Sequence, residues 1–159
     1  SIGKLEIFER ALAFMAGYGL KAFLVVQDIT QLHQAYGREE SIMSNCHVRI
    51  AFAPNKIETA RVLSDMTGKA TVVQARRSRS GRLGELGSVS ENLHETSRPL
   101  LTADECLRLR GIETDGGKAR PGEVLVFAGG MPPIRGVQTL YFQDKELSAR
   151  AGIQPPGDA

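Results

Sequence analysis

Leu5, Phe8, Leu12 and Met15 recur at i, i+3, i+7 and i+10, one stripe of an amphipathic helix, and Ile7, Ala11 and Phe14 widen that stripe. Gly17 and Gly19 predict its end as a left-handed C-cap. The next apolar segment has a different rhythm. Ala22-Phe23-Leu24-Val25-Val26 is continuous rather than alternating, the pattern of a strand buried on both faces, as parallel sheets require. It stops at Gln27-Asp28. Residues 30–36 then predict a helix ending at Gly37, residues 39–45 a second short helix, and residues 48–53 a strand. Pro54-Asn55 punctuates the chain, and Asn55 with Glu58 three positions on reads as a capping pair. Ile57, Ala60, Val62, Leu63 and Met66 continue a helix with Gly68 as its C′ residue, and residues 71–73 form a short strand. Helix and strand thus alternate over the first 75 residues, which predicts an α/β layer architecture on a parallel sheet.

The middle of the chain changes character. Residues 75–99 carry Arg76, Arg77, Arg79 and Arg82 among glycines and serines with few aliphatics, a mobile hairpin or loop by composition. Thr102 and Glu105 frame a capping box for a helix reaching Leu109. Residues 111–122 are polar and glycine-rich and read as a loop. Residues 123–128 form a strand, residues 129–133 a turn, and residues 134–142 an edge strand antiparallel to the one before it. The last nine residues, 151–159, read as a frayed tail.

Composition narrows the class of protein more than it names a function. The 159 residues are one domain's worth, 42% are hydrophobic, and no apolar run approaches the roughly 18 residues of a membrane span. The balance of 20 Lys and Arg against 18 Asp and Glu is too even for a polycation. Two cysteines, Cys46 and Cys106, are too few for a disulfide scaffold and lack paired zinc-ligand spacing, so the expected setting is soluble, reduced and cytosolic. The start at Ser1, which runs almost at once into a helical pattern with no signal peptide, suggests a piece of something longer.

Most chemical motifs fail on inspection. Gly68-Lys69-Ala70-Thr71 resembles the tail of a phosphate-binding loop. Leu63 stands where its first glycine should be, however, and the segment follows a helix rather than a strand. A helix cap is the better reading. His33, Cys46, His47, His94 and Cys106 show no metal-ligand spacing, and no metal is expected. Gln27 is different, because it ends the strand placed at the sheet's centre, and ligands of open α/β sheets bind at carboxyl edges. A glutamine there orients an attacking water beside a phosphoryl group, or it simply caps the next helix or bonds a loop backbone. The arginine cluster places four positive charges in seven residues with no acid before Glu85, which suits phosphate contacts or a merely solvated loop.

Several segments together resemble a known family. They are Gly3-Lys4-Leu5-Glu6-Ile7-Phe8-Glu9, Gly17-Tyr18-Gly19-Leu20-Lys21, Leu24-Val25-Val26-Gln27-Asp28, Asn45-Cys46, Phe52-Ala53-Pro54-Asn55, Glu58-Thr59-Ala60, Ser-Val-Ser-Glu-Asn-Leu-His-Glu-Thr over 88–96, Arg98-Pro99-Leu100-Leu101-Thr102 and Pro132-Pro133-Ile134-Arg135. In this order they resemble the TraG/TraD-type coupling proteins of type IV secretion and conjugation, with residues 111–121 longer than the family's usual link. The resemblance implies a RecA-like P-loop NTPase sheet, of which residues 1–150 would be the carboxyl-terminal part, without the Walker A and Walker B regions. It implies a hexameric ATPase at the cytoplasmic face of the bacterial inner membrane, using ATP and Mg to move single-stranded DNA with its relaxase, and protein substrates, to the secretion channel. Gln27 matches the family's sensor of the γ-phosphate and attacking water. A trans-acting arginine finger has no match at Ala16 or Gly17, which leaves Lys21 or Arg10 for that role. This chain alone is then expected to hold no cofactor and to be inactive. The rival readings are a non-enzymatic α/β module that binds nucleic acid or a secretion partner through Arg76, Arg77, Arg79 and Arg82, and an unrelated doubly wound enzyme.

Overall fold

Leu125 and Phe127, alternate residues of one six-residue strand, are buried against two helices, and the rest of the fold is arranged around that contact. The computed structural model describes residues 6–80 and 88–154. In chain order it contains α1 (Glu6–Met15) with a 3-10 turn (Ala16–Tyr18), α2 (Ile29–Tyr36), α3 (Ile42–Asn45) and β1 (Val48–Ala51). Then follow α4 (Ile57–Thr67), β2 (Lys69–Ser80), β3 (Ser88–Pro99) and α5 (Ala103–Leu107). The chain continues with β4 (Glu113–Asp115), β5 (Lys118–Arg120), β6 (Glu123–Ala128), β7 (Ile134–Val137) and α6 (Lys145–Ala151). The first helix ends as the glycines predict, with Gly19 left-handed at φ 71°.

The α/β layering holds, but the sheet is not parallel. Three strands lie in the order β1-β6-β7, and every pairing among the described residues is antiparallel. The connections explain this. The turn over 129–133 joins β6 to β7, and residues 81–87 join β2 to β3. Both are far shorter than the dozen or more residues a parallel crossover needs. Helices α4 and α5 therefore do not cross between parallel neighbours. They lie together on one face of the sheet, where Ala60, Leu63, Cys106 and Leu109 close over Leu125 and Phe127. The opposite face is bare. Val48, Ile50 and Phe52 are each more than half exposed, and Ile50 and Phe52 with Val126, Val137, Tyr141 and Phe142 border a cleft of about 500 Å³.

Four further expectations are corrected. Residues 22–26 form no strand: the segment belongs to no sheet, with Phe23 87% and Val25 80% exposed. A doubly buried strand needs a neighbour on each side and a layer on each face, and the described residues supply neither. Asn55 does not cap α4, whose N-cap is Lys56 with no side-chain capping bond. Residues 111–122 are a small hairpin, β4 with β5, turned by Gly116 and Gly117, both at positive φ. Finally, α6 reaches into the expected frayed tail, since it ends at Ala151, and residues 155–159 of that tail lie outside the described residues.

Residues 75–80 and 88–99 take the hairpin form, and residues 81–87 of that stretch lie outside the described residues. Strands β2 and β3 pair over twelve residues each, from Lys69 opposite Pro99 to Ser80 opposite Ser88. At about 3.4 Å per residue the arm is roughly 40 Å long. Its base is tied to the body. Leu100 N donates to Gly68 O at 3.0 Å, Ser64 Oγ donates to Leu101 O at 2.6 Å, and Leu101 N donates to Thr67 Oγ1 at 3.3 Å. Beside this knot the predicted capping box is complete, with Glu105 N on Thr102 Oγ1 at 3.2 Å and Thr102 N on Glu105 Oε2 at 2.7 Å. The Thr102 backbone N–H, and then Arg98, hold the Glu105 carboxyl down at about 2.

A second knot closes the sheet's other end. Glu123 accepts from Arg110 N at 2.9 Å and from Arg135 Nε at 3.0 Å, binding the segment after α5 to both β6 and β7. The Arg110 backbone bond is the largest cause of its lowered pKa.

Candidate functional site at the start of α2

Asp28 begins the site. Its backbone is extended at φ −154°, and its carboxylate accepts from Thr30 N at 2.8 Å and Gln31 N at 3.3 Å, so it caps α2. The Thr30 hydroxyl bonds the same carboxylate oxygen. Lys56 Nζ completes the group, 3.1 Å from Asp28 Oδ2 and donating to Thr30 Oγ1 at 2.7 Å. The Thr30 hydroxyl bond, with Lys56 adding to it, outweighs desolvation and brings Asp28 down to about 2, so it stays ionised. Because Lys56 is the N-cap of α4, and Ile29 N donates to Thr59 Oγ1 at 3.4 Å, this cluster fixes α2 against α4.

Gln27 stands one residue before the cap, exposed. Its side-chain oxygen accepts from Gln31 Nε2 at 3.1 Å, and its backbone N–H donates to Gln31 Oε1 at 3.4 Å. The reciprocal pair lays the Gln27 side chain along the first turn of α2. The cap of α2 is Asp28, not Gln27, whose bonds run to the Gln31 side chain instead. Its Nε2 donates to no group among the described residues. An amide held through its oxygen, with its donor end open, is oriented without being consumed.

The other candidates are placed as follows. Arg10 lies on α1 and Lys21 in the irregular segment before Gln27, both exposed, and no bond or ion pair joins either to Gln27 among the described residues. Arg76, Arg77 and Arg79 are positions of β2, and Arg82 lies outside the described residues. Strand register changes the charge picture, since Glu91 stands opposite Arg77, Asn92 opposite Arg76 and Val89 opposite Arg79. The linear sequence hides that acid behind the turn. Gly68 is the helix cap expected of it, at φ 80° with its N–H on Asp65 O. Among the described residues no three His, Cys, Asp or Glu converge on a metal-sized space. Burial raises both thiols, Cys46 and Cys106, as expected of structural rather than reactive cysteines. Sequence reading missed the Asp28–Thr30–Lys56 group. Asp with Thr two residues on was a legible cap, but Lys56 arrives from another helix.

The family to which these residues belong is shown by comparison. The family model described as "Type IV secretory system Conjugative DNA transfer" matches residues 1–155. The chain is 48% identical to a conjugal transfer protein TraG of Escherichia coli, over 98% of the chain and 26% of that protein. It is 31% identical to TraG of Rhizobium radiobacter over 99% of the chain and 24% of the relative, and 26% identical to protein VirD4 of Rhizobium rhizogenes over 92% and 20%. The chain belongs to the type IV secretory conjugative DNA-transfer family and resembles a segment of its TraG-type coupling proteins. It spans about a quarter of the length of these curated TraG relatives. No helix among the described residues is long and apolar enough to cross a membrane.

Proposed function

We propose that this chain is the carboxyl-terminal part of a RecA-like motor domain in a hexameric coupling protein. That protein works at the cytoplasmic face of the inner membrane and drives single-stranded DNA, with its relaxase, toward a type IV secretion channel. The observation that carries the reading is Gln27, held through its oxygen at the entrance of α2 with its amide donor open. ATP with Mg would supply the cleavable phosphoanhydride. The described residues fit only part of that group's needs: they offer an amide, and the charge-neutralising cradle has to come from elsewhere in the protein. Gln27 accepts a hydrogen bond from water and donates one toward a phosphoryl oxygen, and Asp28, capping α2 and tied to Lys56, keeps its backbone in place. Lys21 and Arg10 are the exposed cations available to a neighbouring subunit.

In the full-length protein, Gln27→Ala should lower the ATP turnover number about 100-fold and leave nucleotide affinity within about threefold. Single-turnover hydrolysis and equilibrium nucleotide binding separate the two effects. Turnover within about threefold of wild type would refute the role.

A second reading concerns DNA and rests on the length of the β2–β3 arm, tied to the body at its base. Replacing Arg76, Arg77, Arg79 and Arg82 with Ala should weaken binding to all single-stranded sequences alike and reduce the salt slope by about 3. An unchanged slope in fluorescence-anisotropy titrations would remove the arm from the DNA path.

A further inference from the structure

Arg49 has a position that neither the proposed motor nor the proposed DNA contact uses. It lies in β1 directly opposite Phe127 of β6, so it occupies the face of the sheet that packs on α4, the inward one. Apolar residues occupy the neighbouring places on that face: Ala51 and Ala53 are partly buried against the core, and Leu125 and Phe127 belong to it. Arg49 is itself half-buried, and its Nε is shielded from solvent with no hydrogen-bond partner. Among the described residues no carboxylate pairs with its guanidinium. A buried donor left unmatched costs about 1–3 kcal/mol, more when it is charged. Proteins keep such groups where something else meets them.

The space beside it has a definite shape. A pocket of about 280 Å³ opens between Arg49, Met66 at the end of α4, Phe127, and the turn Ala128-Gly129-Gly130-Met131 with Pro133. The turn is braced. Gly129 N donates to His47 O at 3.0 Å and Met131 N to Ala128 O at 3.1 Å, with Gly130 at φ 78° between them. The His47 ring lies against Gly129 so closely that a Cβ there would be 2.7 Å from it. Glycine at 129 leaves room for that ring, and the two backbone bonds brace the turn that walls the pocket.

We infer that this pocket receives a carboxylate on an aliphatic stem, the side chain of a Glu or Asp in a docked protein segment, held by the Arg49 guanidinium between Met66, Phe127, Met131 and Pro133. A guanidinium matches a carboxylate fork for fork. The lining selects within the oxyanions. Arg49 is the one cation in it, so a phosphate dianion would keep uncompensated charge among apolar walls, whereas one carboxylate balances one guanidinium. Nucleic-acid backbones are bound through several exposed cations together, and this site has one, half-buried. Methionine and phenylalanine walls favour the methylene stem of an acidic side chain.

Arginine-directed modification of the full-length protein with p-hydroxyphenylglyoxal, read residue by residue by mass spectrometry, tests this. Butyrate and inorganic phosphate serve as probes at about 50 mM and equal ionic strength, a range suited to millimolar affinity. Butyrate should slow modification of Arg49 at least about fivefold while leaving exposed Arg108 unchanged, and phosphate should protect neither. Equal Arg49 rates with and without butyrate would overturn the inference. Stronger protection by phosphate than by butyrate would overturn it too, and would make the pocket a phosphate site.

Discussion

Gly122→Ala is expected to destabilise the folded protein by about 3 kcal/mol, although the residue lies in no helix and has no positive φ. The reason is what surrounds it. A Cβ at this buried position would stand 2.6 Å from the Arg110 carbonyl oxygen, 2.7 Å from the Gly111 carbonyl carbon and 2.9 Å from Gln138 Nε2. The first two are backbone and cannot rotate away. They also carry structure, since Arg110 O accepts from Glu123 N at 2.7 Å and Gly122 O accepts from Gln138 N at 2.8 Å. Relieving the clash means pulling the chain after α5 off the start of β6, and the Glu123 bonds to Arg110 and Arg135 loosen with it. Gly129→Ala is the internal comparison. Its clash is with the His47 ring, a side chain that can turn, and the expected loss is about 1 kcal/mol. Urea unfolding of both variants gives the ordering, and a Gly122→Ala loss no larger than that of Gly129→Ala would contradict this account.

Leu125→Ala should cost about as much or more, roughly 3–4 kcal/mol. Leu125 is 1% exposed in the middle strand, paired with Ala51 on one side and Arg135 on the other, and it meets α4 and α5. No neighbour can collapse into the space it would leave, because both flanking strands are held in register. Ile50→Ala deletes a similar volume from the same sheet, but on the bare face, where Ile50 is 55% exposed, and should cost under about 1 kcal/mol. The contrast measures how one-sided the packing is. Similar losses at the two positions in urea melts would mean that the second face is covered in solution. A loss of a few kcal/mol is a large share of a typical domain's stability.

What the sequence made legible follows from the range of the forces involved. The cap at Gly19, the cap at Gly68, the Thr102–Glu105 box and the β6–turn–β7 unit are set by residues within a few positions of one another, although β7 stops at Val137, short of the strand to 142 that the pattern predicts. Strand direction is not local. The pairing of β1 with β6 joins residues separated by α4, the arm and α5, and an alternation of helix and strand cannot distinguish that from a parallel crossover. Residues 22–26 failed for a related reason: their composition records burial, but burial needs partners that the described residues do not supply. At the candidate site, Gln27 was visible from its place after an apolar run. The Lys56 ammonium that secures its neighbour Asp28, and the unmatched guanidinium of Arg49, became visible only when distant elements were brought together.

The knot at the base of the β2–β3 arm has a consequence for how such a chain can vary. Gly68, Ser64 and Thr67 grip Leu100 and Leu101 whatever lies beyond Lys69 and Pro99. The arm's length and the stability of the body are thus separate variables. Adding a residue pair extends the tip by about 3.4 Å and leaves the core untouched, while the entropy of closing a longer loop grows only logarithmically. Reach is the dimension along which descendants of this fold are free to drift.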